Sequence, residues 1–192
     1  PSDHILQDDL GLAYLYLKEP DQAILHFKRA LEIKNNYTPA RNNLGNAYAE
    51  KKEWDKAIEQ YKMVTLDLLY GTPQFPLSNL GVVYYELKEY ELSAQYYLKA
   101  LDINPEFVQA LYGLAKTYME MDRVPDAIVK LQTAVGISPD SAVLHFELAR
   151  AYALDRQYTK ALNAYHKVAE INPSSTLADR ALIEARKIKN RK

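Results

Sequence analysis

Small and apolar residues recur along this chain in a unit of about 34 residues. A leucine followed by glycine or alanine marks each unit, and the marks are spaced by 34, 36, 34 and 34 residues. The marks are Leu10-Gly11, Leu44-Gly45, Leu80-Gly81, Leu114-Ala115 and Leu148-Ala149, and a tyrosine stands three residues after each small residue (Tyr14, Tyr48, Tyr84, Tyr118 and Tyr152). Five coincidences of this kind indicate an internal repeat.

The second half of each unit carries its own small and large positions. A small residue stands twelve positions after the glycine or alanine, and a large residue follows four positions later. The large residues are Phe27, Tyr61, Tyr97, Leu131 and Tyr165. Spacings of three and four place such residues on one helical face. Each unit is therefore predicted to be a pair of helices, because small residues let two helices approach and large ones fill the gaps between pairs.

Prolines help to place the predicted helices. Pro105, Pro139 and Pro173 close the last three units, since a proline ring cannot continue a helix. We expect the first helices at 4–17, 38–51, 76–88, 107–121 and 141–155, and the second helices at 20–34, 54–68, 90–103, 124–137 and 158–171. The expected units are 4–37, 38–73 with two inserted residues, 74–107, 108–141 and 142–175, followed by a capping helix over 176–192.

This pattern resembles the tetratricopeptide repeat (TPR) family over about residues 4–175. The tryptophan usual in the first helix is replaced in all five units, by Gln7, Arg41, Leu77, Leu111 and His145. The resemblance implies an all-α, right-handed superhelical solenoid of five helix pairs plus a capping helix. It also implies that the protein is a scaffold for protein–protein interaction.

The capping helix has a basic outer side, which carries Arg180, Arg186, Lys187, Lys189, Arg191 and Lys192. We interpret this side as a solvated cover for the end of the stack, and the alternative is a binding tail for acidic partners. The whole chain has 24 Lys and Arg against 25 Asp and Glu. That balance does not favour nucleic acid as a partner.

The composition also bears on chemistry. The absence of cysteine excludes disulfides and thiolate chemistry. The four histidines, His4, His26, His145 and His166, show no metal-binding spacing, and no phosphate-binding or nucleophile motif is present. No stretch approaches the roughly 20 apolar residues of a membrane-spanning helix. We therefore expect no catalysis, no cofactor and no transmembrane segment.

The first helices of stacked pairs line a concave face, which is the expected partner site. Asn42, Asn46 and Asn79 form an expected amide cluster, suited to the backbone of an extended peptide. The rest of the predicted groove is Gln109, Tyr112, Lys116, Phe146 and Arg150. Aromatic and cationic side chains of this kind are frequent at interfaces. The alternative is that these asparagines and Phe146 only serve the fold.

Some members of the family bind the C-terminal carboxylate of chaperones with a clamp of three basic residues and two asparagines. Asn46 and Asn79 match that pattern, but the basic positions hold Asn42, Gln109 and Gly113. A carboxylate clamp needs those charges. A chaperone cofactor of the clamp type is therefore not expected.

The joint between the second and third units, residues 65–76, is unusual. It carries an apolar surplus of Leu66, Leu68, Leu69, Tyr70 and Phe75. These side chains either fill a widened joint or offer a patch to a partner. Residues 35–85 around the joint look like the type IV pilus pilotins, outer-membrane lipoproteins that help a secretin subunit assemble.

The pilotin resemblance implies a periplasmic, outer-membrane-associated protein with a secretin partner. It also implies a signal sequence and an acylated cysteine upstream of Pro1. The alternative is a cytoplasmic TPR adaptor or co-chaperone of unknown client.

Overall fold

The computed structural model describes residues 3–67 and 69–190, and in these ranges it consists of α-helices joined by turns, without strands. The first helix of each pair is α1 (Asp3–Tyr16), α3 (Thr38–Glu50), α5 (Gln74–Glu86), α7 (Val108–Glu120) and α9 (Ala142–Leu154). The second helices are α2 (Pro20–Ile33), α4 (Trp54–Thr65), α6 (Tyr90–Ile103), α8 (Val124–Ile137) and α10 (Tyr158–Ile171), and α11 (Thr176–Lys189) closes the series. The predicted all-α fold of five helix pairs and a closing helix is confirmed.

The helices group into two compact units, one ending at Glu89 and the other beginning at Tyr90. In the first unit, each helix from α1 to α5 packs on the next, and α3 also contacts the first helices α1 and α5. In the second unit, each helix from α6 to α11 packs on the next, and α9 also contacts α11.

A glycine in the first helix sets how closely the paired helices approach. A Cβ atom on Gly45 would lie 2.6 Å from Cε1 of Tyr61, and one on Gly11 would lie 2.4 Å from Cε1 of Phe27. Such distances are not tolerated, so the aromatic ring of the second helix rests directly on the backbone of the first. Tyr61 and Phe27 are almost completely buried as a result.

The turn within each pair has a left-handed residue at the end of the first helix. These residues are Lys18, Lys52, Lys88, Asp122 and Arg156, with φ between 58° and 63°. The N–H of the following residue donates to the carbonyl of the repeated tyrosine, as from Glu53 to Tyr48 at 2.9 Å and from Gln157 to Tyr152 at 2.8 Å. This bond ends the helix cleanly and satisfies a terminal carbonyl. A non-glycine residue in this conformation costs about 1 kcal/mol.

The joint between α4 and α5 departs from the predicted boundaries. Helix α4 ends at Thr65, earlier than the expected 68, because the Asp67 carboxylate accepts hydrogen bonds from the Thr38 hydroxyl and from the Leu69 N–H. These bonds hold the chain in a turn, and they lower the pKa of Asp67, the Thr38 bond being the larger cause. Helix α5 begins at Gln74, two residues before Pro76. A proline fits in a first turn, where its missing N–H would have no helical partner.

The closing helix α11 is capped by the Ser175 hydroxyl, which accepts from the Ala178 N–H at 3.1 Å. It buries Ala178, Ala181, Ala185 and Ile188. Its predicted basic side is exposed at Arg180, Arg186, Lys187 and Lys189, whereas Arg191 and Lys192 lie outside the described residues. Helix α11 thus buries one face of small residues and presents a charged face to solvent.

Asp8 in α1 is a carboxylate that folding removes from water. It is 5% exposed, and its Oδ1 accepts from Nδ2 of Asn43 in α3 at 3.0 Å. Burial raises the pKa of Asp8, the Asn43 bond partly opposes this, and the Asp9 charge adds to it. The folded state therefore binds this proton more tightly than the unfolded state does, and the contribution of Asp8 to stability is lost as pH rises through its raised pKa.

The contact at Gly45 predicts opposite effects for two glycine-to-alanine changes. Gly45→Ala should lower the free energy of unfolding by about 1–3 kcal/mol, since the new methyl group overlaps the Tyr61 ring. Gly136→Ala in α8 is the control, because a Cβ there meets nothing within 4 Å and alanine favours the helix by up to about 1 kcal/mol. Urea denaturation measures both, and equal effects would contradict the packing argument.

The raised pKa of Asp8 predicts a pH-dependent effect of Asp8→Asn. At pH 7 the variant should melt at a higher temperature than the wild type, because it carries no buried charge and can still accept from Asn43. The gain should vanish near pH 3, where Asp8 is protonated in both states. Thermal melts at both values measure this, with the exposed Asp102→Asn as control; a gain that is the same at both values would show that the charge is not the cause.

Candidate functional site

The first unit brings Asn46 of α3 and Asn79 of α5 together. Nδ2 of Asn79 donates to Oδ1 of Asn46 at 3.0 Å, and the Tyr61 hydroxyl donates to the same oxygen at 2.8 Å. Burial raises the pKa of the Tyr61 phenol, so it stays protonated and remains a donor. In the described part of the chain, the Asn46 N–H groups and the Asn79 carbonyl oxygen have no hydrogen-bond partner, so the pair offers both donors and an acceptor.

This amide pair lines a cavity of about 490 Å³. Its walls are Asn46, Ala49, Glu50, Lys52, Trp54, Tyr61, Asn79, Val82, Val83 and Glu86. The cavity is thus apolar around the indole and the valines, polar at the amides and charged at the rim. Such a mixture suits a polypeptide, in which apolar side chains alternate with a hydrogen-bonding backbone.

Asn42, the third predicted amide, does not join the pair. It is 9% exposed, and its Oδ1 is buried without a hydrogen-bond partner among the residues described. The side chain therefore offers little surface to a partner.

In the second unit, Gln109 is exposed in the first turn of α7. Further along α7, the Lys116 ammonium lies 5.7 Å from the centroid of the Tyr112 ring, within range of a cation–π contact. Tyr112 is half-buried, and burial is the main cause of its raised pKa, with the Glu147 charge second. These predicted residues therefore form a polar and aromatic surface along α7.

Phe146 and Arg150 of α9 lie in a second group, which α10 and α11 complete. The Phe146 ring is 5% exposed and meets the Tyr165 ring edge-on at a centroid distance of 5.6 Å. The Arg180 guanidinium of α11 covers it at 5.2 Å. Arg150 Nη1 donates to Glu147 Oε2 at 2.7 Å. Phe146 is therefore the aromatic floor of this site, with cations above it.

Sequence reasoning missed several members of both sites. Tyr61 and Tyr165 were assigned to packing, and Trp54 was not among the predicted groove residues. Each does pack, but each also lines a cavity beside a predicted residue. The sequence contained a signal for Tyr61. This large residue of the second helix packs against Gly45 of the first helix, so its hydroxyl reaches the next residue, Asn46.

The joint between α4 and α5 exposes apolar side chains. Leu66 is 79% exposed, Leu69 is 94% exposed and Phe75 is 40% exposed, whereas Tyr70 is half-buried. Leu68 lies outside the described residues. Leu66 and Leu69 therefore do not fill the joint, and they form a surface that we call the joint patch, together with Phe75.

Residues 3–67 and 69–190 contain no group of three or more Asp, Glu or His side chains placed to hold a metal ion. None of the helices in these ranges combines the length and the apolarity needed to cross a membrane.

Family models of the tetratricopeptide repeat match the chain at residues 14–68, 76–107, 96–129 and 142–175. Subunit 6 of the anaphase-promoting complex from Arabidopsis thaliana is 25% identical over 180 residues, which are 91% of this chain and 33% of that protein. Lipopolysaccharide assembly protein B from Haemophilus influenzae is 29% identical over 87% of this chain and 44% of its own length. The chain spans a third or less of the first curated relatives it matches.

Solved structures show the same architecture. The pilF protein of Pseudomonas aeruginosa, 23% identical, matches with a TM-score of 0.81 over 97% of this chain and 86% of that one. YrrB, described as a TPR protein with an unusual peptide-binding site, is 20% identical and matches with a TM-score of 0.70 over 93% and 91% of the two chains. At these identities the likeness shows the fold alone.

Proposed function

Because this chain belongs to the tetratricopeptide repeat family, we propose that it is a scaffold that binds an extended segment or a helix of another protein on its first helices. The observation that carries the proposal is the hydrogen-bonded pair of Asn46 and Asn79 in the cavity of the first unit. In that pair Asn46 retains its N–H donors and Asn79 its carbonyl acceptor. A peptide backbone presents the complementary groups, one acceptor and one donor per residue.

The Tyr61 hydroxyl preorganises this pair. It donates to the Asn46 oxygen and so fixes the orientation of that amide before any partner arrives. A side chain held in its binding orientation loses less entropy on association. Trp54 and Val82 flank the amides with apolar surface for the partner's side chains.

The second unit carries further residues to which we assign a role in recognition. Gln109, Tyr112 and Lys116 on α7 supply polar and cation–π contacts, and Phe146 and Arg150 on α9 supply an aromatic floor and a charge. Aromatic and arginine side chains provide much of the binding energy at protein interfaces. We propose that all of these residues act in the recognition of a partner.

Substitution of the two asparagines tests the proposal. Asn46→Asp keeps an oxygen that accepts from Tyr61 and Asn79 but removes the N–H donors, and Asn79→Ala removes the acceptor. The test ligand is a peptide selected on the wild-type protein from a random-sequence library. Each variant should bind this peptide about five- to tenfold more weakly, which is the effect of one lost hydrogen bond. Fluorescence anisotropy of the labelled peptide measures the affinity.

The control is Asn163→Ala on the exposed side of α10, which should leave the affinity unchanged. Thermal melts of all variants show whether the fold is intact. Unchanged affinity of both Asn46→Asp and Asn79→Ala, with intact folds, would place the selected peptide elsewhere and refute this site.

A narrower version of the function concerns the joint patch. We infer that the partner is a secretin subunit and that the protein acts in type IV pilus assembly as a lipoprotein of the periplasm. Two observations support this inference: residues 35–85 resemble the pilotins, and Leu66 and Leu69 are exposed although the Leu69 N–H is held by a hydrogen bond to the Asp67 carboxylate. Exposed leucines of this kind are typical of surfaces that a partner covers. The competing proposal is a cytoplasmic adaptor or co-chaperone.

The double change Leu66→Ser and Leu69→Ser tests the secretin proposal. Because both side chains are mostly exposed, the melting temperature should change little. In cells that lack the wild-type gene, the variant should leave the secretin largely unassembled, as judged from the fraction of multimer in membranes. Val129→Ser, at an apolar position on α8 that is 55% exposed, is the control. Normal multimer in the joint variant, or in cells without the gene at all, would contradict the secretin role.

A further inference from the structure

The second unit holds a cavity of about 410 Å³ where α9, α10 and α11 meet. Its lining is Phe146, Arg150, Tyr165, Arg180, Ile183 and Glu184. A smaller cavity of about 210 Å³, lined by Arg150, Ala153, Leu154 and Tyr165, shares two of these residues. The two cavities therefore meet at Arg150 and Tyr165, so the recess continues on both sides of the Tyr165 ring.

The Tyr165 hydroxyl is a donor without an acceptor in the described part of the chain. Tyr165 is 2% exposed and lines both cavities, and its hydroxyl makes no hydrogen bond within residues 3–67 and 69–190. Burial raises the pKa of Tyr165 to about 12, with the Glu184 charge as the second cause, so the O–H proton is retained at neutral pH. A hydroxyl that faces a recess and has no acceptor in the protein can donate to an acceptor on a bound ligand.

The repeat explains why this hydroxyl lacks an acceptor. Tyr61 occupies the same position in its unit and donates to Asn46, which follows the small residue Gly45. In the fifth unit the residue that follows the small Ala149 is Arg150. A guanidinium has no acceptor, so the change from asparagine to arginine leaves the phenol O–H without its partner and adds further donors beside it.

The charges around the cavity are unevenly compensated. Arg150 is paired with Glu147 at 2.7 Å, and Glu184 is paired with Lys187 at 2.7 Å. Arg180 lies over the Phe146 ring and forms no ion pair with any carboxylate in the described part of the chain. The cavity thus presents hydrogen-bond donors from Tyr165 and two arginines, and its uncompensated charge is positive.

We propose that this cavity binds the carboxylate of an aspartate or glutamate side chain in the partner polypeptide. The inference rests on the proposed scaffold function and names the chemistry of one of its contacts. The Tyr165 hydroxyl and the Arg180 guanidinium donate to the carboxylate, and Arg150 adds a further donor while it stays paired with Glu147. Ile183, which is 50% exposed, and Phe146 contact the apolar part of the bound residue.

The shape of the recess favours a side chain over a chain terminus. A C-terminal carboxylate is the end of its polypeptide, so the bound chain would leave the recess on one side of Tyr165 only. Here the smaller cavity continues past Tyr165 toward Leu154, which is 57% exposed. An internal acidic residue places its carboxylate at Tyr165 while the polypeptide runs on in both directions.

Three short peptides test the proposal on the wild-type protein. The first is acetylated and amidated and has one glutamate between apolar residues; the second replaces that glutamate with glutamine; the third is the glutamine peptide with a free C-terminal carboxylate. Isothermal titration at low ionic strength should show that the glutamate peptide binds at least about tenfold more tightly than either of the others, as expected for charge-assisted hydrogen bonds.

Two substitutions assign the effect to this cavity. Tyr165→Phe should weaken the binding of the glutamate peptide by about fivefold and leave the binding of the glutamine peptide unchanged. It should change the melting temperature little, because the hydroxyl makes no hydrogen bond within the described part of the chain. Tyr61→Phe is the matched control: it should lower the melting temperature, since it breaks the bond to Asn46, and leave the glutamate peptide unaffected. Arg180→Met should weaken the binding of the glutamate peptide about tenfold. Arg186→Met, on the exposed side of α11, should leave this binding unchanged.

Other outcomes overturn the inference in distinguishable ways. Equal affinity for the glutamate and glutamine peptides, or no binding of either, would exclude a carboxylate receptor. Preference for the free C-terminus would show that a chain end is the ligand. In each case the scaffold function stands if the library-selected peptide still depends on Asn46 and Asn79, and it fails separately if that peptide does not.

Discussion

The contact of an aromatic ring with a bare helix backbone is the interaction on which the site of the first unit depends. Gly45 has no side chain, so the Tyr61 ring lies against α3, and this contact sets the spacing of the pair. The same contact places the phenol hydroxyl beside Asn46, at 2.8 Å from its oxygen. One side chain therefore packs the pair and orients an amide of the candidate site. A change that loosens the packing would also disorder the recognition surface.

The repeat makes two chemically different sites from one geometry. The residue after the small position is Asn46 in the second unit and Arg150 in the fifth, and a tyrosine of the second helix lies against each position. With asparagine, the hydroxyl is satisfied within the protein, and the surface offers both donors and an acceptor. With arginine, the Tyr165 hydroxyl has no acceptor in the described part of the chain, and the guanidinium adds donors beside it. The change from asparagine to arginine at one position of the repeat is therefore what separates the two proposed sites, one for a peptide backbone and one for a carboxylate.

Most of the fold was predictable from the sequence, because helix pairing demands small residues at fixed spacings and the chain shows them five times. Helices α2, α6, α8 and α10 begin within a residue of the predicted position. The start of α5 was wrong, since Pro76 was taken as an opening residue and instead occupies the third position. The end of α4 was also missed, because the Asp67 side chain ends the helix through a bond to Thr38, which is 29 residues away in sequence.

The candidate sites were only half predictable. The register of the repeat grouped Asn46 of α3 with Asn79 of α5, and the two amides are hydrogen-bonded, yet it also included Asn42, whose side chain is buried. The position of the Arg180 guanidinium over the Phe146 ring depends on how α11 packs against α9. Periodicity shows which face a residue occupies. It does not show which atom of a neighbouring helix comes within reach.

Lys52 is one of the residues in a left-handed backbone conformation. Its φ is 59°, a value that glycine adopts with less strain, and its side chain lines two cavities beside Trp54. A designed array built from average repeats would place glycine or asparagine at such a position and become more stable. It would also delete the cation at the rim of the cavity. In this molecule, the residues that depart from the consensus repeat line the candidate site. A consensus sequence would replace the residues that distinguish the partner of one scaffold from the partner of another.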